Sequence, residues 1–212
     1  MNGIKTYIIS NKDRRPDRYA DVVRQFSNKS EFDVQMTQCI FLDDNRRYGL
    51  WLSMMNCIAD AKKNAYEKCI LVEDDAYFTD YYNENTFLQY VNYCESVGYD
   101  ILHGGIYGTS NPIRNAYNKG LWDIAWCWST HFIVVYNKCY DKLLNYKFDL
   151  HSDVADGVLN KLGLKRAVMY PFMVLQKDYG YTDITFHTVG HMAEMLRDTN
   201  KVFEDYLRAY TK

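Results

Sequence analysis

The stretch KCILVEDDAYFTD, Lys68 to Asp80, decides how the rest of the chain is read. Cys69, Ile70, Leu71 and Val72 form a short apolar run that predicts a buried strand. Three acids then follow without a break: Glu73, Asp74 and Asp75. Adjacent carboxylates at a strand end repel one another unless a positive group compensates them. A hard divalent cation such as Mg²⁺ or Mn²⁺ takes oxygen ligands of this kind, commonly together with substrate phosphates. A plain turn that caps a helix is the other account, and these residues alone leave both open. In open α/β sheets ligands bind beyond the carboxyl ends of the strands, which is where the three acids fall.

Outward from this stretch, strands and helices alternate. IKTYIIS (Ile4–Ser10) predicts a first strand, and Pro16 suits the first turn of the helix that runs from Asp17 to Phe26. Val34–Leu42 predicts a second strand. Trp51, Met54, Met55, Ile58, Ala61 and Ala65 recur at helical spacing between Gly49 and Tyr66. A helix over Thr86–Val97 and a short strand in YDILHGG complete an α/β pattern with a mostly parallel sheet. Lys12, Arg14, Arg15 and Arg18 cluster after the first strand, and arginine forks match phosphate groups. A solvated basic turn explains any one of them equally well.

The second half is less regular. Three tryptophans, Trp122, Trp126 and Trp128, stand among turn residues, followed by a strand HFIVVY and a helix KCYDKLLNY. Ser152 or Asp153 caps a short helix in HSDVADG, RAVMYPFMVLQ reads as extended, and Gly190–Tyr210 as a helix. One domain is expected over residues 1–212.

Bulk properties exclude several classes. The formal net charge is −2 and no long basic run exists, which argues against nucleic-acid binding. The six cysteines form no C-x-x-C pair, so a zinc site is not expected and reduced thiols in a cytoplasmic protein are. No segment approaches the ~20 apolar residues of a membrane span, and the start is no signal peptide. A haloacid-dehalogenase phosphatase needs a different spacing of acids from Asp74-Asp75-Ala76-Tyr77.

With these motifs in order, the chain resembles glycosyltransferase family 25, which includes lipooligosaccharide and collagen galactosyltransferases. TYIISNKDRRPDRYADVVRQF resembles the family's opening strand and R-x-x-R helix entry. YGLWLSMMNCIADAKKN resembles its G-x-x-x-S-H helix, with Gly49 and Ser53 matching and Met54 in place of the histidine. CILVEDDAYF is similar to its I-L-E-D-D motif, HSDVADGVL to a region with a recurrent Asp, and YPFMVLQKDYGYTDIT to its ending, with Thr182 before Asp183 and Ile184.

The resemblance implies a GT-A (Rossmann-like) nucleotide-sugar transferase fold. It divides the chain into a nucleotide-sugar-binding half, 1–110, and an acceptor-binding half, 111–212. It implies a metal-dependent inverting transfer of a hexose, galactose or glucose, from a UDP-sugar to a glycan hydroxyl, as in lipopolysaccharide or surface polysaccharide synthesis. Asp75 would be the metal ligand for Mn²⁺ or Mg²⁺, Glu73 and Asp74 would contact the nucleotide or act through water, and Arg14 and Arg18 would lie beside the donor. Inversion needs a base, and Asp153 and Asp156 are the candidates, Asp153 preferred for its match to the recurrent Asp. His187 is the first choice for a second metal ligand, ahead of His151 and His191. Trp122, Trp126 and Trp128 would form an acceptor platform or lie in the core. The other readings are a catalytically silent nucleotide-sugar-binding domain and a transferase acting on a protein or modified-nucleobase hydroxyl. A lipid-linked acceptor would bring the protein to the inner membrane face without a span.

Overall fold

In the computed structural model, which describes residues 3–110, 114–118, 120–180 and 190–210, the alternation predicted for the first half is realised. The elements run β1 (Ile4–Ser10), α1 (Pro16–Phe26), β2 (Phe32–Gln38), α2 (Arg46–Lys63), β3 (Lys68–Glu73), β4 (Ala76–Phe78), α3 (Glu84–Ser96) and β5 (Ile101–His103). There follow β6 (Tyr107–Ser110), β7 (Arg114–Tyr117), β8 (Leu121–Ile124), β9 (Trp126–Trp128), β10 (Phe132–Tyr136), α4 (Tyr140–Leu144), α5 (Ala155–Lys161), β11 (Arg166–Met169), β12 (Val174–Gln176) and α6 (His191–Tyr210).

The main sheet has the order β2-β1-β3-β10-β5-β11-β8-β7. β1 pairs in parallel with both β2 and β3, and β5 pairs in parallel with β11. β10 and β8 run against their neighbours, so the sheet is mostly parallel with two reversed strands. Two small sheets, β12-β4 and β6-β9, stand beside it.

Alternation along the strands divides the core. Ile8, Ile70, Val72 and Val134 face α1 and α3, where Phe26, Phe32, Phe87 and Phe132 pack together. Tyr7, Ile9, Leu71 and Ile133 face α2, α4 and α5. Each fully buried branched side chain contributes about 1.5–3 kcal/mol, so the β3 run alone commits its strand to the sheet interior. α6 closes a third cluster by setting Phe203 against Trp122, Tyr170 and Phe172.

Three local outcomes differ from the sequence reading. β2 ends at Gln38 rather than Leu42, because the Ser53 hydroxyl accepts the Ile40 N–H at 2.8 Å and diverts the chain from the ladder. α2 begins at Arg46, a turn earlier than the apolar spacing suggested, because the Asn45 side chain accepts the Tyr48 N–H and caps it. α5 starts after Val154 with no side-chain cap, since the Asp153 carboxylate is bonded elsewhere.

Gly49 explains the G-x-x-x-S spacing physically. A Cβ there would meet the Ile40 carbonyl oxygen at 2.4 Å, and Ser53 bonds back to the Gly49 carbonyl at 2.8 Å. The pair lets α2 lie directly against the loop that follows β2.

Candidate functional site

The carboxyl ends of β1 and β3 lie side by side, with Ile9 in register with Glu73. That register brings the start of α1 onto the acidic turn. Arg18, 4% exposed, places Nη1 2.9 Å from Asp75 Oδ2 and 3.7 Å from Asp74 Oδ1. Arg15 lies 3.6 Å from the same Asp74 oxygen, and Ser10 donates to Asp74 Oδ2 at 2.8 Å. The positive charge that the acid triplet demands is supplied in large part by two guanidinium groups. Tyr179 stacks its ring 4.8 Å from the Arg18 guanidinium, and Asp21 on α1 holds Tyr179 and Lys177.

The three acids are placed unequally. Glu73 Oε1 accepts the Thr130 hydroxyl at 2.6 Å. Asp75 Oδ2 also accepts the Gln176 side-chain N–H at 2.9 Å, because β12 pairs with β4 and sets Gln176 opposite Ala76. Asp75 Oδ1 is buried and has no hydrogen-bond partner. Burial pushes all three carboxyls above the usual range, against the opposing pull of Arg15 on Asp74 and of Arg18 on Asp75. For Glu73 the neighbouring Asp75 charge adds to the rise.

These groups border a cavity of about 490 Å³. Arg15, Arg18, Arg46 and Arg47 line it from α1 and α2, together with Cys39, Ile40 and Phe41 of the loop after β2. The acids lie at the end of β3. Tyr107, Trp128, Ser129, Thr130 and Gln176 line it from the later strands, and His191, Met192 and Met195 from α6. Asp156, in the first turn of α5, completes the lining. Its carboxyl is pushed up by burial to about 6, while its bond from the Gly157 N–H pulls the other way.

The expected site residues separate on this map. Arg18, Glu73, Asp74, Asp75, Asp156 and Trp128 come together around the cavity. Arg14 does not; it is exposed, stacks 3.8 Å from the Phe41 ring and lies 3.7 Å from Asp43. Asp153 is 2% exposed and lies outside the lining. It accepts from the Tyr146 hydroxyl and the Asp149 N–H, each at 2.9 Å, and pairs with Lys161. Burial alone would raise its carboxyl, but these donors hold it below the usual range. Trp122 is fully buried against Phe203, so it belongs to the core rather than to a platform. Trp126 meets Trp128 edge to face at 4.8 Å and is not in the lining. His187 lies outside the described residues, His151 is exposed away from the cavity, and His191 borders it.

A divalent cation is compatible with this donor set. The unpartnered Asp75 Oδ1 is a hard oxygen ligand aimed at no protein donor, and Glu73 stands beside it. Among the described residues no three His, Cys, Asp or Glu side chains group around one point. The protein's share would be one or two carboxylates, the ligand supplying the rest.

Sequence reasoning passed over Arg46, Arg47, Tyr107, Ser129, Thr130 and Gln176. Gln176 was within reach, since it stands in the YPFMVLQ segment; Tyr107 and the adjacent pairs Arg46-Arg47 and Ser129-Thr130 carry no periodic signal.

No family model matches the sequence, and no curated protein matches it. Several solved structures align with parts or most of the chain. Apo UDP-glucose pyrophosphorylase aligns at 9% identity over 98% of this chain and 82% of that one, with TM-score 0.46. Mannose-1-phosphate geranyltransferase from Thermus thermophilus aligns at 9% identity over 80% and 74%, with TM-score 0.44. A glycosyltransferase involved in glycosylation of the major capsid of PBCV-1 aligns at 11% identity over 66% and 63%, with TM-score 0.36. These alignments, at 9–11% identity and TM-scores of 0.36–0.46, do not single out family 25. No helix among the described residues is long and apolar enough to cross a membrane.

Proposed function

We propose that this chain is a nucleotide-sugar-dependent hexosyltransferase that inverts configuration and requires a divalent metal. The observation that carries the reading is the shared cavity in which Arg15, Arg18 and the unpartnered Asp75 Oδ1 meet Asp156. The arginine side suits a diphosphate, because guanidinium forks bond phosphate oxygens in pairs. Asp156 suits the base. With its carboxyl raised to about 6 it is ionised at neutral pH yet basic enough to take a proton from an acceptor hydroxyl. Asp153 has no such freedom, its oxygens being held by Tyr146, Asp149 and Lys161.

In the single displacement this implies, the acceptor oxygen bonds to the anomeric carbon as Asp156 takes its proton, and the sugar–phosphate bond breaks. Arg15 and Arg18 offset the charge that grows on the departing diphosphate. A divalent cation held by Asp75 Oδ1 and Glu73 would add positive charge on the same side. Trp128, 37% exposed at the mouth, offers a flat face to an acceptor sugar. On the family 25 resemblance the donor is a UDP-hexose, the acceptor a glycan of lipooligosaccharide or surface polysaccharide, and the setting the cytoplasm or the inner membrane face.

Thermal shift against UDP-, GDP- and CMP-sugars, with and without Mn²⁺, tests the binding. Stabilisation by one nucleotide sugar that grows with Mn²⁺ is expected, with release of the nucleoside diphosphate on turnover. Formation of nucleoside triphosphate and sugar 1-phosphate when pyrophosphate is added would instead assign nucleotidyl transfer. No response to any nucleotide would overturn the reading.

A further inference from the structure

We infer that Asn160 and Arg166 are positioning residues that lock the helix carrying Asp156 to the strand carrying Trp128, and so set the geometry between base and acceptor. This deepens the proposed function and rests on it.

α5 has seven residues, Ala155–Lys161, too few to hold a helix by its own hydrogen bonds. Val158 and Leu159 sink into the core shared with α2. Apolar contact of this kind is non-directional, so it fixes the depth of the helix but not its register. Asn160 supplies the register. It follows Asp156 by four residues, one turn on along the same face. Its Nδ2 donates to the Cys127 carbonyl at 3.0 Å, and its Oδ1 accepts the Cys127 N–H at 3.2 Å. β9 has β6 along one edge only. The Asn160 amide takes the place of a strand at the other edge, bonded to both backbone groups of the middle residue of β9. Trp128 comes next in the chain, and Ser129 and Thr130 continue the cavity wall.

Arg166 ties this pairing to the main sheet. It stands on β11, in register with Ile101 of β5 and Ile124 of β8, and is 3% exposed. Nη2 donates to Asn160 Oδ1 at 2.7 Å and to the Ala125 carbonyl at 2.5 Å, and Nη1 to Cys127 Sγ at 3.7 Å. All three acceptors are neutral, and the buried Nε has no partner. A guanidinium buried without a counter-charge is costly, and an apolar side chain of similar volume would fill the place more cheaply. What the guanidinium adds is direction, because its planar fork holds several acceptors in one arrangement. With Arg166 and the Cys127 N–H both donating to Oδ1, the Asn160 amide cannot turn over without setting donor against donor.

Asp156 and Trp128 border the same cavity from α5 and β9. β10 and α4 lie between them in the chain, so sequence proximity does not hold them together. Asn160 and Arg166 do. A slip of about 1 Å between a base and its acceptor costs about 10²-fold in rate.

Release of UDP from UDP-glucose and UDP-galactose with Mn²⁺ present, water serving as acceptor, tests this. Asn160→Ala is expected to lower the rate per folded molecule about 10- to 100-fold, with UDP affinity by titration within about 2-fold of native. In an Asp156→Asn background the same substitution is expected to change the rate less than about 3-fold, because a residue that acts through Asp156 then has nothing left to position. Asn160→Asp keeps the acceptor for Arg166 and the Cys127 N–H, and a rate within about 5-fold of native is expected; it guards against misfolding of the alanine variant, with circular dichroism checking both. A native rate in Asn160→Ala, losses that multiply in the double variant, or an equal loss of rate and UDP affinity overturns the inference and leaves the transferase reading standing. A native protein that releases no UDP from either sugar overturns both.

Discussion

Arg18 is the position where charge, burial and function meet, and Arg18→Met removes its charge while keeping much of its stem. The guanidinium is 2.9 Å from Asp75 and 3.7 Å from Asp74, and all three side chains are buried. At 2.9 Å and an effective dielectric near 20, the Asp75 contact alone is worth about 6 kcal/mol of Coulomb attraction before desolvation is charged against it. Removing one partner of such a pair leaves the other charge buried, which typically costs about 3–5 kcal/mol. For a chain of this length that lowers Tm by roughly 6–20 °C. The signs with pH follow. Asp75 already titrates high in the fold, so its contribution to stability is present at low pH and is lost as pH rises through its folded pKa. Loss of Arg18 raises that pKa further, so the deficit of the variant should shrink on acidification and widen toward neutrality. Urea unfolding of Arg18→Met, Asp75→Asn and the double variant measures the coupling. The double variant should be more stable than the sum of the singles predicts by about 1–3 kcal/mol. Additivity within about 0.5 kcal/mol, or a cost below about 1 kcal/mol for Arg18→Met, would refute the assignment of Arg18 as counter-ion.

Other substitutions separate the groups that line the cavity from those that hold it. Asp156→Asn should reduce turnover by about 10²–10⁴-fold with donor affinity intact by titration, and the native rate should rise with pH through about 6 as that carboxyl ionises. Asp75→Ala should abolish the Mn²⁺-dependent part of the thermal shift; an undiminished shift would remove Asp75 as a ligand. Trp122→Ala should cost about 3–5 kcal/mol in chemical unfolding, whereas Trp128→Ala, at the exposed mouth, should leave stability nearly unchanged and raise the acceptor KM. Gly49→Ala drives a Cβ onto the Ile40 carbonyl, and an unfolding cost of about 1–3 kcal/mol is expected.

Much of this architecture was legible in the sequence because it is written in apolar runs. The β1 and β3 runs are continuous and β-branched, so their burial followed from composition, and the acids and arginines at their ends could be placed at one sheet edge. The phase of α1 was harder. Helical spacing alone puts both Arg14 and Arg15 on the face of Arg18, but α1 begins at Pro16 with Arg15 at its N-cap, so Arg14 stands in the preceding turn and leaves that face. The region around the tryptophans was opaque for a different reason. β6–β9 and β7–β8 are short irregular pairings with register shifts, so strand alternation cannot be counted across them, and Trp122 becomes core while Trp128 reaches solvent. Asp153 was attractive as a base because it lies near the loop before a short helix and matches the recurrent Asp, yet that loop consumes it: the Asp149 N–H and Tyr146 hydroxyl are local partners that sequence spacing does not reveal.

The distribution of thiols has a practical consequence. Cys57, Cys69, Cys94, Cys127 and Cys139 are buried, and burial pushes each thiol up to about 12. Cys39 alone among the six is half-buried, and it borders the cavity beside Ile40 and Arg15. An alkylating reagent therefore meets Cys39 as the least buried of the six sulfurs, at the border of the cavity proposed to hold a nucleotide, although burial raises this thiol too. The rate of Cys39 modification becomes a label-based clock of cavity occupancy, readable by intact mass without knowing the reaction or its acceptor.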